Sequence, residues 1–146
     1  MNILVINGPN LNLLGVREPA VYGRTTYAEL LDMIRAWAAE LGLSVDFFQS
    51  NHEGALVDAI QDALGKYDGI LINPAAYTHT SIAIPDALKA VGLPAVEVHL
   101  TDITHREPFR RISYTAPACD ITYAGLGPEG YKKGLEFLKK KPGIKK

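Results

Sequence analysis

Short apolar runs alternate with amphipathic segments along the chain, and that alternation leaves few architectures open. Ile3 to Asn7, Leu43 to Gln49, Gly69 to Asn73, Ala95 to Leu100 and Asp120 to Ala124 read as strands. Near-continuous apolar runs of this length belong to strands covered on both faces. Between them, Tyr27 to Leu41 carries Leu30, Leu31, Ile34, Trp37, Ala38 and Leu41 at helical spacing, and Gly42 is the expected helix stop. Glu53 to Leu64 puts Leu56, Ile60 and Leu64 on one face; Thr80 to Val91 and Pro128 to Lys140 are read as further helices.

Five βα units in 146 residues give one domain, 1–146, with a parallel sheet between two helical layers. Right-handed crossovers then favour an α/β, flavodoxin-like three-layer sandwich with a five-stranded sheet in the order 2-1-3-4-5. A chain of this length buries roughly 70% of its unfolded surface, enough for a real core. The basic end, about residues 141–146, is expected to be a solvated, flexible tail.

Composition narrows the chemistry. Fifteen basic and 16 acidic side chains give a formal net charge of -1. That balance argues against broad binding to nucleic acid or to an anionic membrane, so an anionic ligand has to be caught locally. One cysteine, Cys119, allows no intrachain disulfide and fits a reducing, cytoplasmic setting. The chain opens directly on a strand, without the pattern of a signal peptide, and no apolar stretch is long enough to span a bilayer.

Ligands of an open parallel sheet bind beyond the carboxyl ends of its strands. The segments there are NGPNLNLLGVREPAVYG after the first strand, INPAAYTHTS at the third and VEVHLTD at the fourth. They bring Asn10, Arg17, Tyr22, Asn73, His79, Glu97 and His99 toward one edge. Glu97 and His99 stand two apart on a strand and so share a face. A carboxylate beside an imidazole orients the ring and favours its protonated form, which makes a proton donor; the other reading is a buried pair kept for packing. Arg17 and Tyr22 lie in a long loop flanked by Pro19 and Gly23, and long loops in compact domains are often lids. A guanidinium beside a phenol lowers its pKa toward a usable base, whereas the plain reading is a solvated arginine and a packed tyrosine. Asn10 and Asn73 are either site residues or turn residues, and His79 is either a ligand or a cap. His52 and His105 fall in no usable pattern.

Other motifs exclude more than they offer. Gly125 to Gly130 matches G-x-G-x-x-G but follows the last strand, so it reads as a tight strand-to-helix turn rather than a dinucleotide site. The histidines lack metal-ligand spacing, and no G-x-S-x-G nucleophile elbow occurs.

Taken in order, NGPNLNLLGVREPAVYG, QSNHEG, INPAAYTHTS, EVHLTDI and REPFRR resemble the type II 3-dehydroquinate dehydratases, from Met1 to about Tyr131. The resemblance implies a flavodoxin-like fold and dehydration of 3-dehydroquinate to 3-dehydroshikimate by anti elimination through an enolate. It also implies no metal or organic cofactor, and trimers that assemble to a dodecamer. Tyr22 then matches the base for the C2 proton, Arg17 the group that lowers its pKa, and Asn10 the residue that stabilises the enolate oxygen through a water. His99 matches the acid for the departing C1 hydroxyl, with Glu97 orienting it. Asn73, His79 and Arg110 match ligands of the ring hydroxyls, and the amides of Leu100 and Thr101 the carboxylate cradle. Asp86 matches the residue that reaches a neighbouring subunit's site.

The chain departs from the family pattern in places. Thr101-Asp102 replaces the usual Ser-Asn, Thr104-His105 the usual His-Ala, and Pro85 stands where arginine is frequent. Asp102 adds a negative charge near a carboxylate site, and Pro85 bears on the subunit contact. The competing reading is a non-enzymatic module holding FMN or a nucleotide; the first loop, GPNLNLLG, lacks the hydroxyl residues that a flavodoxin phosphate loop uses.

Overall fold

The computed structural model describes residues 1–16, 20 and 23–141. Five strands, β1 (Asn2–Asn7), β2 (Ser44–Gln49), β3 (Gly69–Asn73), β4 (Ala95–His99) and β5 (Ile121–Ala124), form an all-parallel sheet in the order β2-β1-β3-β4-β5. Among the described residues there are four α-helices: α1 (Tyr27–Leu41), α2 (Glu53–Asp62), α3 (Ala83–Val91) and α4 (Glu129–Lys140). The strand order and the three layers agree with the sequence reading.

Strand parity sorts the core. Ile3, Val5, Leu71, Val96 and Val98 pack with Leu30 and Ile34 of α1 and with Tyr131, Leu135 and Leu138 of α4. Leu4, Ile6, Ile70, Ile72 and Ala95 turn the other way, onto Leu56 and Ile60 of α2 and Ile84 and Leu88 of α3. Each fully buried Leu or Ile contributes about 1.5–3 kcal/mol relative to exposure. Two apolar layers therefore cover both faces of the sheet and fix which side chains reach its ends.

Local signals set the helix ends. Thr26 and Glu29 form a reciprocal capping box: Glu29 N–H donates to Thr26 Oγ1 and Thr26 N–H to Glu29 Oε1, both at 3.1 Å. Gly42 closes α1 in the left-handed conformation at φ 71°, as its glycine suggested.

Two expectations need correction. The connection from β4 to β5 holds no α-helix; it runs through 3-10 turns at Ile103–His105, Pro108–Arg110 and Ala116–Ala118, so the chain has five strands but not five βα units. Pro108 and Pro117 supply no N–H, and Glu107, just before Pro108, is extended at φ -56° and ψ 150°. Helix α3 begins at Ala83 rather than Thr80 because Ala75–His79 forms a separate 3-10 turn, after which Ser81 Oγ accepts from Ile84 N–H at 3.0 Å. Of the expected tail only Lys141 is described, with its ammonium 2.8 Å from Asp120; the remainder lies outside the described residues.

Candidate active site

The carboxyl ends of β1 and β3 are pinched together. Gly8 N–H donates to the Asn73 carbonyl at 2.8 Å, and a Cβ on Gly8 would stand 2.4 Å from the Pro74 carbonyl oxygen. No side chain fits there. The close approach lifts the next residues over the strand ends. Asn10 sits at φ 69°, a left-handed conformation that asparagine tolerates, and its N–H donates to Asn51 Oδ1 at 3.0 Å. Gln49, at the end of β2, donates to the Gly8 carbonyl at 3.1 Å and steadies the same loop from the other side.

Beneath the pinch lies a buried amide–phenol network. Tyr131 Oη donates to Asn7 Oδ1 at 2.6 Å and accepts from Asn73 Nδ2 at 3.2 Å. Asn73 Oδ1 in turn accepts from Ala75 N–H at 3.0 Å, holding Ala75 at φ 53°. Burial pushes the Tyr131 phenol far up, so it remains a neutral donor. Asn73 is thus anchored by both ends of its amide, and one Nδ2 proton is left to face the cleft.

Glu97 and His99 project from β4 on the α2/α3 side of the sheet, opposite Val96 and Val98. Glu97 is 0% exposed and His99 5%. Glu97 Oε1 lies 3.0 Å from His99 Nε2. The ring N–H is not aligned on that oxygen. Burial alone pushes the Glu97 carboxyl up, but the His99 ring and the hydroxyls of Ser113 and Thr78 outweigh it and hold the carboxyl below its ordinary value. With Nε2 turned to Glu97, Nδ1 is the nitrogen available to a ligand.

The β4–β5 crossover closes the opposite wall. His79 Nδ1 lies 2.8 Å from the Ile112 carbonyl, which fixes the ring proton on that nitrogen. Burial lowers the His79 pKa, the Ile112 carbonyl opposing it. The neutral ring then presents Nε2 as an acceptor. Arg110 Nε is buried without an aligned acceptor, although Glu107 Oε2 is 3.0 Å away. Arg106 Nη1 reaches Thr101 Oγ1 at 3.4 Å. Gly125 and Gly127, at φ 79° and 57°, make the tight turn expected of GLGPEG, and their N–H groups donate to the carbonyls of His99 and Leu100 at 3.3 and 3.0 Å. Those amides pin the end of β4 instead of holding a phosphate.

One cleft gathers Asn10, Asn73, His79, His99, Leu100, Thr101 and Arg110. Glu97 stands directly behind His99. Asp86 does not join them; it is exposed in the first turn of α3. Arg17 and Tyr22 lie outside the described residues. Asp102 does not line the cleft. It caps the turn at Ile103–His105, accepting from Thr104 N–H at 2.9 Å and Thr104 Oγ1 at 2.6 Å, with His105 Nε2 3.2 Å away. Arg106 is a lining cation that spacing did not single out, though REPFRR begins with it. Tyr131 and the hydroxyls around Glu97 carry no sequence pattern, because they meet the site only through the fold. Among the described residues no three His, Cys, Asp or Glu side chains gather as a metal centre.

The family model for dehydroquinase class II matches residues 1–139. The chain is 56% identical over 138 residues to the 3-dehydroquinate dehydratase of Nostoc sp. strain PCC 7120, covering 94% of each. It is 53% identical over 137 residues to the catabolic 3-dehydroquinase of Aspergillus clavatus, covering 94% of this chain and 91% of that one. Its structure is similar to that of the type II dehydroquinase from Butyrivibrio crossotus, with a TM-score of 0.93 at 48% identity over 94% of this chain and 97% of that one. On these grounds the chain belongs to the class II dehydroquinase family.

Proposed function

We propose that the chain is a hydro-lyase that dehydrates 3-dehydroquinate to 3-dehydroshikimate in the shikimate pathway, through an enolate and by anti elimination. The family match and the relatives' common activity support the reaction. The observation that carries the chemistry is the Glu97–His99 pair, 3.0 Å apart, buried at the end of β4 and opening into a cleft lined by cations and amides.

Hydroxide is a poor leaving group, so the departing C1 hydroxyl needs a positioned acid. His99 fills that role through Nδ1, oriented by Glu97. A ketone α-proton is weakly acidic, so charge on the enolate oxygen has to be stabilised where it develops. Asn10, on the rim, does so through a bridging water. Tyr22, activated by Arg17, removes the C2 proton from the opposite side. Neutral His79, Asn73 and Arg110 hold the ring hydroxyls, and the amides of Leu100 and Thr101 hold the carboxylate. Asp86 completes the site of a neighbouring copy in a trimer, and trimers assemble to a dodecamer. The reaction needs neither metal nor organic cofactor, and the enzyme works in the cytoplasm. No helix among the described residues is long and apolar enough to cross a membrane.

The test is enone absorbance on adding 3-dehydroquinate. Wild type turns over without added metal. Tyr22→Phe and His99→Ala each lose at least 100-fold in kcat, on the order expected for a general base or acid. Full turnover by either variant defeats its assigned role.

A further inference from the structure

Glu97 has more donors than its pairing with His99 requires. Thr78 Oγ1 and Ser113 Oγ each donate to Oε1 at 2.6 Å, and Thr122 Oγ1 donates to Oε2 at 2.9 Å. The three hydroxyls come from separate parts of the fold: the turn after β3, the β4–β5 crossover and β5 itself, where Thr122 is the register partner of Glu97. A second ring of contacts steadies them. Thr115 Oγ1 lies 3.3 Å from Thr78 Oγ1, and Ser113 Oγ accepts from Ala116 N–H at 3.0 Å.

An ionised carboxylate offers about four lone-pair sites. Three hydroxyls take three of them, two on Oε1 and one on Oε2, and His99 Nε2 lies 3.0 Å from Oε1. A proton moved from Nε2 to Oε1 would take a site that Thr78 or Ser113 already occupies and would turn that hydroxyl away from its acceptor. Distances of 2.6 Å belong to the charge-assisted class of O–H···O⁻ bonds. A carboxylate kept only for packing gains nothing from such a shell, because an apolar residue of like volume fills the space at lower desolvation cost.

We propose that Thr78, Ser113 and Thr122 are positioning residues for the dehydration: they lock Glu97 as a proton acceptor by hydrogen bond only, so that the proton on His99 goes to the substrate and never to Glu97. The proposal rests on His99 being the acid. In the step, the enolate electron pair forms the ring C=C bond as the C1–O bond breaks. The departing oxygen takes the imidazolium proton and leaves as water, and a neutral imidazole remains. The charge on Glu97 is the same before and after. Where the cage is weakened, part of the proton rests on Glu97, a neutral ring faces the substrate, and kcat falls while KM holds.

Thr122→Val keeps the shape and removes one donor; Ser113→Ala does the same at the other oxygen. Each is measured in the wild-type background and with Glu97→Gln, alongside Thr122→Ser. The expected result is a roughly tenfold or greater loss in kcat for Thr122→Val and for Ser113→Ala, the scale of one hydrogen bond to a charged group. KM stays within about twofold, and Thr122→Ser recovers most of the loss. Once Glu97 is Gln, adding either substitution changes kcat by less than about twofold, because residues of one network are not additive. Equal losses in both backgrounds, unchanged kcat, or a loss carried by KM overturn the cage. Wild type that leaves 3-dehydroquinate untouched overturns the reaction itself, a distinct failure. If Thr122→Val does not fold, the Ser113→Ala cycle decides alone.

Discussion

At the scale of single residues, the cleft is built from side chains whose second contact fixes their first. His79 shows how far this goes. Its Nδ1 proton is committed to the Ile112 carbonyl at 2.8 Å, and burial lowers its pKa from the usual 6.5. A histidine with a depressed folded pKa binds a proton more readily once unfolded. Its contribution to stability is therefore complete above pH 6.5 and is lost as pH falls through the lower folded value. We expect wild type to lose stability relative to His79→Gln as pH falls from 7 to 5, measured as the difference in urea midpoint at each pH. Parallel curves for the two proteins would mean that the ring is not held neutral. The same protonation removes the Nε2 acceptor that faces the cleft, so ligand binding and stability share one titration.

At the scale of elements, legibility follows periodicity. Helix α1 begins at Tyr27 and ends at Leu41 as read, because its apolar stripe and Gly42 are both local signals. Strands β3 and β4 were legible for the same reason, and with them the shared face of Glu97 and His99. The crossover after β4 was not, because Pro108 and Pro117 break a segment whose composition is otherwise ordinary. Nor were the contacts of Asn73 with Tyr131 legible, since 58 residues separate them in the chain. Asp102, a charge expected to trouble the carboxylate site, is spent on Thr104 and His105, a local capping pattern visible only once the turn exists. The pinch of β1 against β3 yields a prediction at this scale. Gly8→Ala puts a methyl group 2.4 Å from the Pro74 carbonyl, and backbone on both sides leaves no flexible side chain to yield. The strand ends must separate, with a loss of about 1–3 kcal/mol in unfolding free energy by denaturant titration. Because Asn10 and Asn73 ride on those ends, kcat/KM falls further than stability alone accounts for. Wild-type stability and turnover in this variant would mean that the two ends are free to slide.

At the scale of the whole molecule, the role proposed for Asp86 requires a second copy of the chain. Asp86 is exposed in the first turn of α3, away from the cleft of its own chain. Ile82, just ahead of α3, and Phe109, Ile112 and Tyr114 of the crossover are large apolar side chains standing 56, 67, 58 and 43% exposed. The assembly proposed above would give such side chains a surface to be buried against. The crossover also carries the contact to His79, so a copy docked there would lie against the wall of the cleft. If the neighbour supplies Asp86 across that surface, a complete site combines His99 from one copy with Asp86 from another. Asp86→Asn and His99→Ala proteins, each weak alone, should then regain turnover when they are dissociated, mixed and reassembled. In a mixed assembly some clefts hold an intact His99 facing a neighbour with an intact Asp86. Recovery in the enone assay above the sum of the two parents, absent when they are mixed without dissociation, is the outcome that a shared site requires. Activity that only averages the parents would confine the site to one chain and leave Asp86 a surface residue of α3.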